Sequence, residues 1–154
     1  MSNSLGSKMV RAFILIFAWI GSASLAVMVA DRRPPTSYEG GQALSDRVEQ
    51  GGTARVEFEV YRSRICPVVV RRYMVDSASV RHAITNYTVG RTTNPGHEIY
   101  SRTFTVPDTA ALGPAYYEVQ LEYRCNIVQQ LWWPIEITSP PIPLTIIPKK
   151  ENTE

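Results

Sequence analysis

The chain divides by pattern into one long apolar run and a succession of short alternating segments. Residues 12–30 (AFILIFAWIGSASLAVMVA) carry no charge over 19 positions; Lys8 and Arg11 precede them, and Asp31, Arg32 and Arg33 follow. At 1.5 Å per residue a helix of that length reaches about 28 Å, close to the hydrocarbon thickness of a bilayer. The run predicts one membrane-spanning helix. A buried core helix would show a polar face, and Ser22 and Ser24 do not make one because their hydroxyls can bond back to the helix backbone. A secretory signal is the stronger competitor, since Ser24, Leu25 and Ala26 set small residues at the offsets of a cleavage site. The apolar run continues through Val27, Met28 and Val29, longer than secretion requires, which favours a retained anchor over cleavage after Ala26. Two basic residues on each flank leave the orientation undecided by charge.

Residues 31–43, with Pro34, Pro35, Gly40 and Gly41, read as a linker at the membrane surface. From Leu44 to Ile147 no apolar period of 3.6 persists, and alternation of period two recurs between turn residues, which predicts an all-β body. The turn QGGT (50–53) launches ARVEFEVY, with Ala54, Val56, Phe58 and Val60 on one face and Arg55, Glu57 and Glu59 on the other. PVVVRRYMV, VRHAITNYTV and EIYSRTFTV follow as strands, the last with Tyr100, Phe104 and Val106 on one side. AYYEVQLEYRC places Tyr117, Val119, Leu121, Tyr123 and Cys125 together, and WWPIEIT and PPIPLTII supply Trp133, Ile135, Ile137, Ile142, Leu144 and Ile146. Seven or so strands at this spacing predict an antiparallel two-sheet sandwich. Residues 148–154 read as a disordered tail, and residues 1–11 as a short cytoplasmic N-terminus.

The segment YEVQLEYRC, with Tyr123 two places before Cys125, resembles the sixth strand of an immunoglobulin-like domain and its tyrosine corner, and the approach ALGPAYYEV is similar as well. The third strand departs from that pattern, offering Tyr73 in VVVRRYM where a tryptophan is usual. An apolar anchor, a Pro-rich linker and one such domain also resemble uncharacterised membrane-tethered proteins of bacteriophages and their bacterial hosts. In an immunoglobulin-like topology Cys66 and Cys125 fall at the same pole of the sandwich, and the resemblance implies a disulfide between them. A disulfide persists only in an oxidising compartment, which would set the domain in the periplasm or outside the cell and the N-terminus in the cytoplasm. Two buried free thiols, or a zinc site with His82 and His97, are the alternatives, the latter lacking the paired spacing of such sites.

Charge adds little beyond this. Beyond Ala30 the chain is formally neutral, and between Leu44 and Ile147 ten arginines meet ten acids without a basic block. Nucleic acid is therefore not an expected partner. Nucleophile elbow, phosphate loop and histidine pairs at ligand spacing are all missing, so no enzyme, cofactor, metal or small-molecule substrate is expected. His82 and His97 read as ordinary, and Glu57, Glu59, Glu118 and Glu122 as members of cross-strand pairs on a solvated face. The tripeptide NYT (86–88) fits a glycosylation acceptor, which carries no meaning in a bacterial or phage protein. Loops at the cysteine pole are the candidate binding surface: Arg62, Arg64, Gln129, Gln130, Trp132 and Trp133 carry residue types common at interface hot spots. The plainer assignment for the same residues is one tryptophan in the core and two arginines covering the disulfide loop. The expected function is a single-pass, membrane-tethered, non-enzymatic binding or assembly module that meets an envelope protein or glycan. The alternative is a soluble secreted or periplasmic inhibitor or accessory domain released by signal cleavage.

Overall fold

A computed structural model describes residues 3–90 and 94–149. One long helix, α1 (Asn3–Ala30), precedes the β1 (Thr36–Ala43), β2 (Arg47–Glu49), β3 (Thr53–Arg62), β4 (Val68–Val75), β5 (Arg81–Val89), β6 (Gly96–Thr105) and β7 (Gly113–Tyr123) strands. A short helix, α2 (Ile127–Leu131), and the strands β8 (Ile135–Thr138) and β9 (Ile142–Ile147) complete the chain. One sheet has the order β1-β3-β6 and the other β2-β9-β7-β4-β5, with β8 paired to β7. Among the described residues all pairings are antiparallel except β2 with β9. The all-β body, the two sheets and the single apolar helix expected from the pattern are present. One sheet curls like half a barrel, a departure from the two-sheet sandwich expected.

Alternation does what period two requires. Ala54, Val56, Phe58 and Val60 of β3 are buried, while Arg55 and Glu59 point to solvent. They face Tyr117, Val119, Leu121 and Tyr123 of β7 and Ile142, Leu144 and Ile146 of β9 across the core. Aromatic rings fill its centre: Phe58 lies 5.6 Å from Tyr38, 5.5 Å from Tyr100 and 6.1 Å from Tyr117, and Phe104 stacks on Tyr117 at 4.6 Å. Gly51 makes the turn before β3 possible. Its φ is +73°, and a Cβ there would meet Asp108 Oδ1 at 2.3 Å.

Several boundaries differ from the sequence reading. The helix begins at Asn3, so part of the stretch expected as a cytoplasmic N-terminus is helical and Lys8 and Arg11 ride on the helix itself. Helical hydrogen bonding has no reason to stop where the apolar run stops. The expected linker at 31–43 shortens, because residues 36–43 form the edge strand β1 against β3. Gly41 there is a packing glycine: an added Cβ would stand 3.2 Å from Ile142 Cδ1. Of the expected tail, residues 150–154 lie outside the described residues, as does part of the loop GRTTNPGH. Glu122, expected on a solvated face, is buried and pairs with Arg71 at 2.7 Å and with Arg124 at 2.5 Å.

The turn between β4 and β5 is organised by Asp76. Its Oδ1 accepts from the amides of Ala78 and Val80 at 3.0 Å each, and its Oδ2 accepts from Ala111 N at 3.0 Å and lies 2.8 Å from His82 Nε2. One carboxylate thus joins the hairpin to the crossing between β6 and β7. The His82 hydrogen bond first, and then the three amides, hold the Asp76 carboxyl well below the usual carboxylate range. A depressed folded-state pKa contributes stability above the unfolded value, and that contribution is lost as pH falls from about 4 toward the folded pKa. Melting temperature should therefore drop on the acid side of pH 4 in the wild type, and the drop should be shallower in Asp76→Asn. Parallel acid limbs in the two proteins would remove Asp76 as a source of acid sensitivity.

Candidate functional site

Cys66, in the loop between β3 and β4, and Cys125, just past β7, form a disulfide with a Cα–Cα distance of 4.8 Å. The bond closes one pole of the body, as expected. What the sequence reading did not foresee is that this pole is joined to the end of α1. Asn126 Nδ2 donates to Met28 O at 3.1 Å, satisfying a carbonyl that the last turn of the helix leaves unpaired. Gln129 Nε2 donates to Asp31 O at 2.6 Å, and Ser63 N donates to Pro35 O at 2.8 Å. Arg64 pairs with Asp31 Oδ2 and reaches Arg33 O, both at 2.6 Å. From the other side Arg32 donates to Trp133 O at 2.7 Å and Pro134 O at 2.9 Å, with its guanidinium 4.5 Å from the centre of the Trp133 ring. The Arg64 hydrogen bond also lowers the Asp31 pKa.

Local sequence explains α2, the element that carries half of this junction. Asn126 is its N-cap, accepting from Gln129 N at 3.0 Å, and Val128 and Gln129 turn inward. Asn126 followed three residues later by Gln129 is close to a capping box, a signal that was legible in the chain. Gln129 departs from that motif by using Oε1 to accept from Cys125 N at 2.9 Å. At 1 % exposure it satisfies the disulfide strand with its oxygen and the helix end with its nitrogen.

The six residues singled out at this pole therefore separate. Arg64, Gln129 and Trp133 belong to the junction. Gln130 is exposed on α2, and Trp132 stands in solvent at 77 % exposure. Neither tryptophan fills the core, contrary to the plainer assignment, because α2 turns the chain outward just before them. Arg62 pairs with Glu98 and faces the Tyr100 ring at 5.9 Å. Missed were Asp31, Arg32 and Asn126, whose partners lie far away in sequence.

Below the pole a cleft opens between the sheets, lined by Arg62, Arg64, Tyr87, Tyr100, Arg102 and Tyr123 among others. Burial pushes the Tyr100 hydroxyl up to about 12 and raises that of Tyr123. These phenols are protonated at neutral pH and act as hydrogen-bonding groups; Tyr123 donates to Thr36 Oγ1 at 2.7 Å. Arg102 Nε donates to Tyr87 Oη at 3.3 Å. The cleft offers arginine charge and aromatic surface side by side. Among the described residues no group of three or more His, Cys, Asp or Glu is placed to hold a metal ion.

No protein-family model matches the chain, and no curated protein matches it. Among solved structures it is similar to the alkylpurine DNA glycosylase AlkC of Pseudomonas fluorescens, bound to DNA containing an abasic site analog. Identity is 11 % and the TM-score 0.48, over 80 % of this chain and 33 % of that one. This chain thus spans about a third of that protein's length. That protein is an enzyme, in contrast to the non-enzymatic module expected from the sequence, and that expectation is not carried further. At this level of similarity the likeness carries no activity or substrate across.

Proposed function

We propose that the chain is a single-pass membrane-tethered binding or assembly module, with its N-terminus in the cytoplasm and its β body on the oxidising side of the membrane. The observation that carries this reading is the state of α1. Its stretch Gly6–Ala30 is long and apolar enough to cross a membrane, and none of its most apolar part is buried in the chain. So large an apolar surface is untenable in water. The disulfide supports the compartment, since such bonds persist where thiols oxidise. The order β1-β3-β6 against β2-β9-β7-β4-β5 supports an immunoglobulin-like sandwich for the body. The layout of anchor and single domain is one we propose it shares with membrane-tethered proteins of bacteriophages and their hosts. With much of the disulfide pole engaged by the helix end, the cleft beside it, with Tyr87, Tyr100 and Arg102, is the surface offered to an envelope protein or glycan.

Intact mass of the chain recovered from carbonate-washed membranes tests the reading. Full-length mass is expected, with both cysteines alkylated only after reduction. Recovery in the soluble fraction of a chain beginning at Val27 would replace it with a released inhibitor or accessory domain. Full-length chain whose thiols alkylate without reduction would turn the body to the cytosol.

A further inference from the structure

Four of the large apolar side chains that the folded body leaves in solvent, Ile127, Leu131, Trp132 and Trp133, gather beside the junction. Ile127 and Leu131 lie one turn apart on α2 and are exposed, and Trp132 and Trp133 follow at once, 77 % and 54 % exposed. Val128 and Gln129 are the buried positions of the same helix, so the apolar residues at 127 and 131 are turned outward by its packing. Isolated exposed hydrophobes are ordinary, but neighbouring ones that include two indoles mark a contact surface.

Where that surface sits is set by the hydrogen bonds of the junction. Asn126, at the head of α2, holds Met28 O, and Trp133 O holds Arg32, whose guanidinium also covers the Trp133 ring. Met28 is in the last turn of α1, and Arg32 is two residues beyond its end. Both tryptophans are thereby kept near the level at which the apolar run ends. A spanning helix passes there from hydrocarbon to headgroups, the depth that indole prefers because its body is apolar and its N–H seeks a polar partner. Arg32 and the exposed Arg33 place positive charge at the same level, complementary to lipid phosphates.

We propose that Trp132 and Trp133, with Leu131, form an interfacial seat in the headgroup layer of the membrane that α1 crosses. The inference rests on the membrane-anchor reading. The occupant is lipid because the patch continues the apolar surface of α1 across a hydrogen-bonded junction. A β body with this seat stands in one attitude on the bilayer, with the disulfide pole against the membrane.

The chain has three tryptophans, and Trp19 lies within α1. Trp19→Phe therefore leaves Trp132 and Trp133 as reporters. The full-length variant is inserted into vesicles of phosphatidylcholine and phosphatidylglycerol, checked by flotation after carbonate washing. Its fluorescence is then read with lipids brominated near the glycerol end or the methyl end of the chains, and with acrylamide in the water. Quenching by the shallow bromolipid should exceed that by the deep one about twofold, and acrylamide quenching should fall about threefold relative to the protein in denaturant. Adding Trp132→Phe or Trp133→Phe singly should leave each remaining indole with the same depth profile. Floating protein whose indoles are quenched by acrylamide and not by bromolipid would overturn the seat and leave the anchor standing. Shielding without bromolipid quenching, rising with protein density in the vesicle, would assign the patch to a second copy and also overturn it. Protein that fails to float removes the anchor reading and the seat together.

Discussion

Replacing Cys66 and Cys125 together by alanine should lower the unfolding free energy of the β body by about 4 kcal/mol, from the loop-closure entropy of a cross-link across a sequence separation of 59. Domains of this size are typically stable by about 5–15 kcal/mol, so the loss is a large share of the whole. The bond also carries Cys125, whose amide is held by Gln129, and through Gln129 the Asp31 carbonyl. Urea denaturation of the full chain in detergent, with and without reductant, measures the effect. Reduced wild type and the double variant should unfold at the same urea concentration, well below that of the oxidised protein. A shift worth less than about 1 kcal/mol would mean that the pole stays associated in the denatured chain.

Phe58→Ala should cost about 3–5 kcal/mol, the range for emptying a buried aromatic site. Phe58 is 1 % exposed at the middle of β3 and touches rings from three other strands, Tyr38 on β1, Tyr100 on β6 and Tyr117 on β7. Those strands belong to both sheets, so the cavity cannot close by shifting one of them. Trp132→Ala, removing a larger ring, should change the unfolding free energy from the same denaturation by less than about 0.5 kcal/mol, as surface substitutions do. Comparable losses from the two variants would mean that Trp132 is buried in the folded protein, against the body or against the detergent.

Much of the fold was legible because period-two burial is a local property. In β3, β9 and β7 up to Leu121 the side chains alternate between core and more exposed positions, so the residues themselves display which face is inward; only the end of β7 breaks the rule, where Glu122 is buried between Leu121 and Tyr123. The edge strand β1 was not legible: its TSYEGGQA has glycines where an alternating strand would have side chains. Those glycines serve Ile142 and Glu59, partners about 100 and 20 residues away. The capping signal of Asn126 and Gln129 was present in the chain, but five helical residues are too few to show a period.

The candidate pole divided along the same line. That Cys66 and Cys125 share a pole followed from strand order under the immunoglobulin-like reading, and the structure has them bonded. Which other residues assemble there did not follow, since Arg64 meets Asp31 and Trp133 meets Arg32 only after the body folds back onto the helix end. Hydrophobicity alone likewise could not distinguish Phe58 from Trp132; one is in the core and the other in solvent.

By itself the sequence determined the apolar helix, the all-β body and the inward faces of its main strands, because these depend on spacing between near neighbours in the chain. The attitude of that body on the helix, the conversion of a supposed linker into a strand, the burial of Glu122 and Gln129, and the exposure of two tryptophans were decided by tertiary structure. Each depends on a partner brought close by chain folding, and the free energy of such a contact appears in no local pattern.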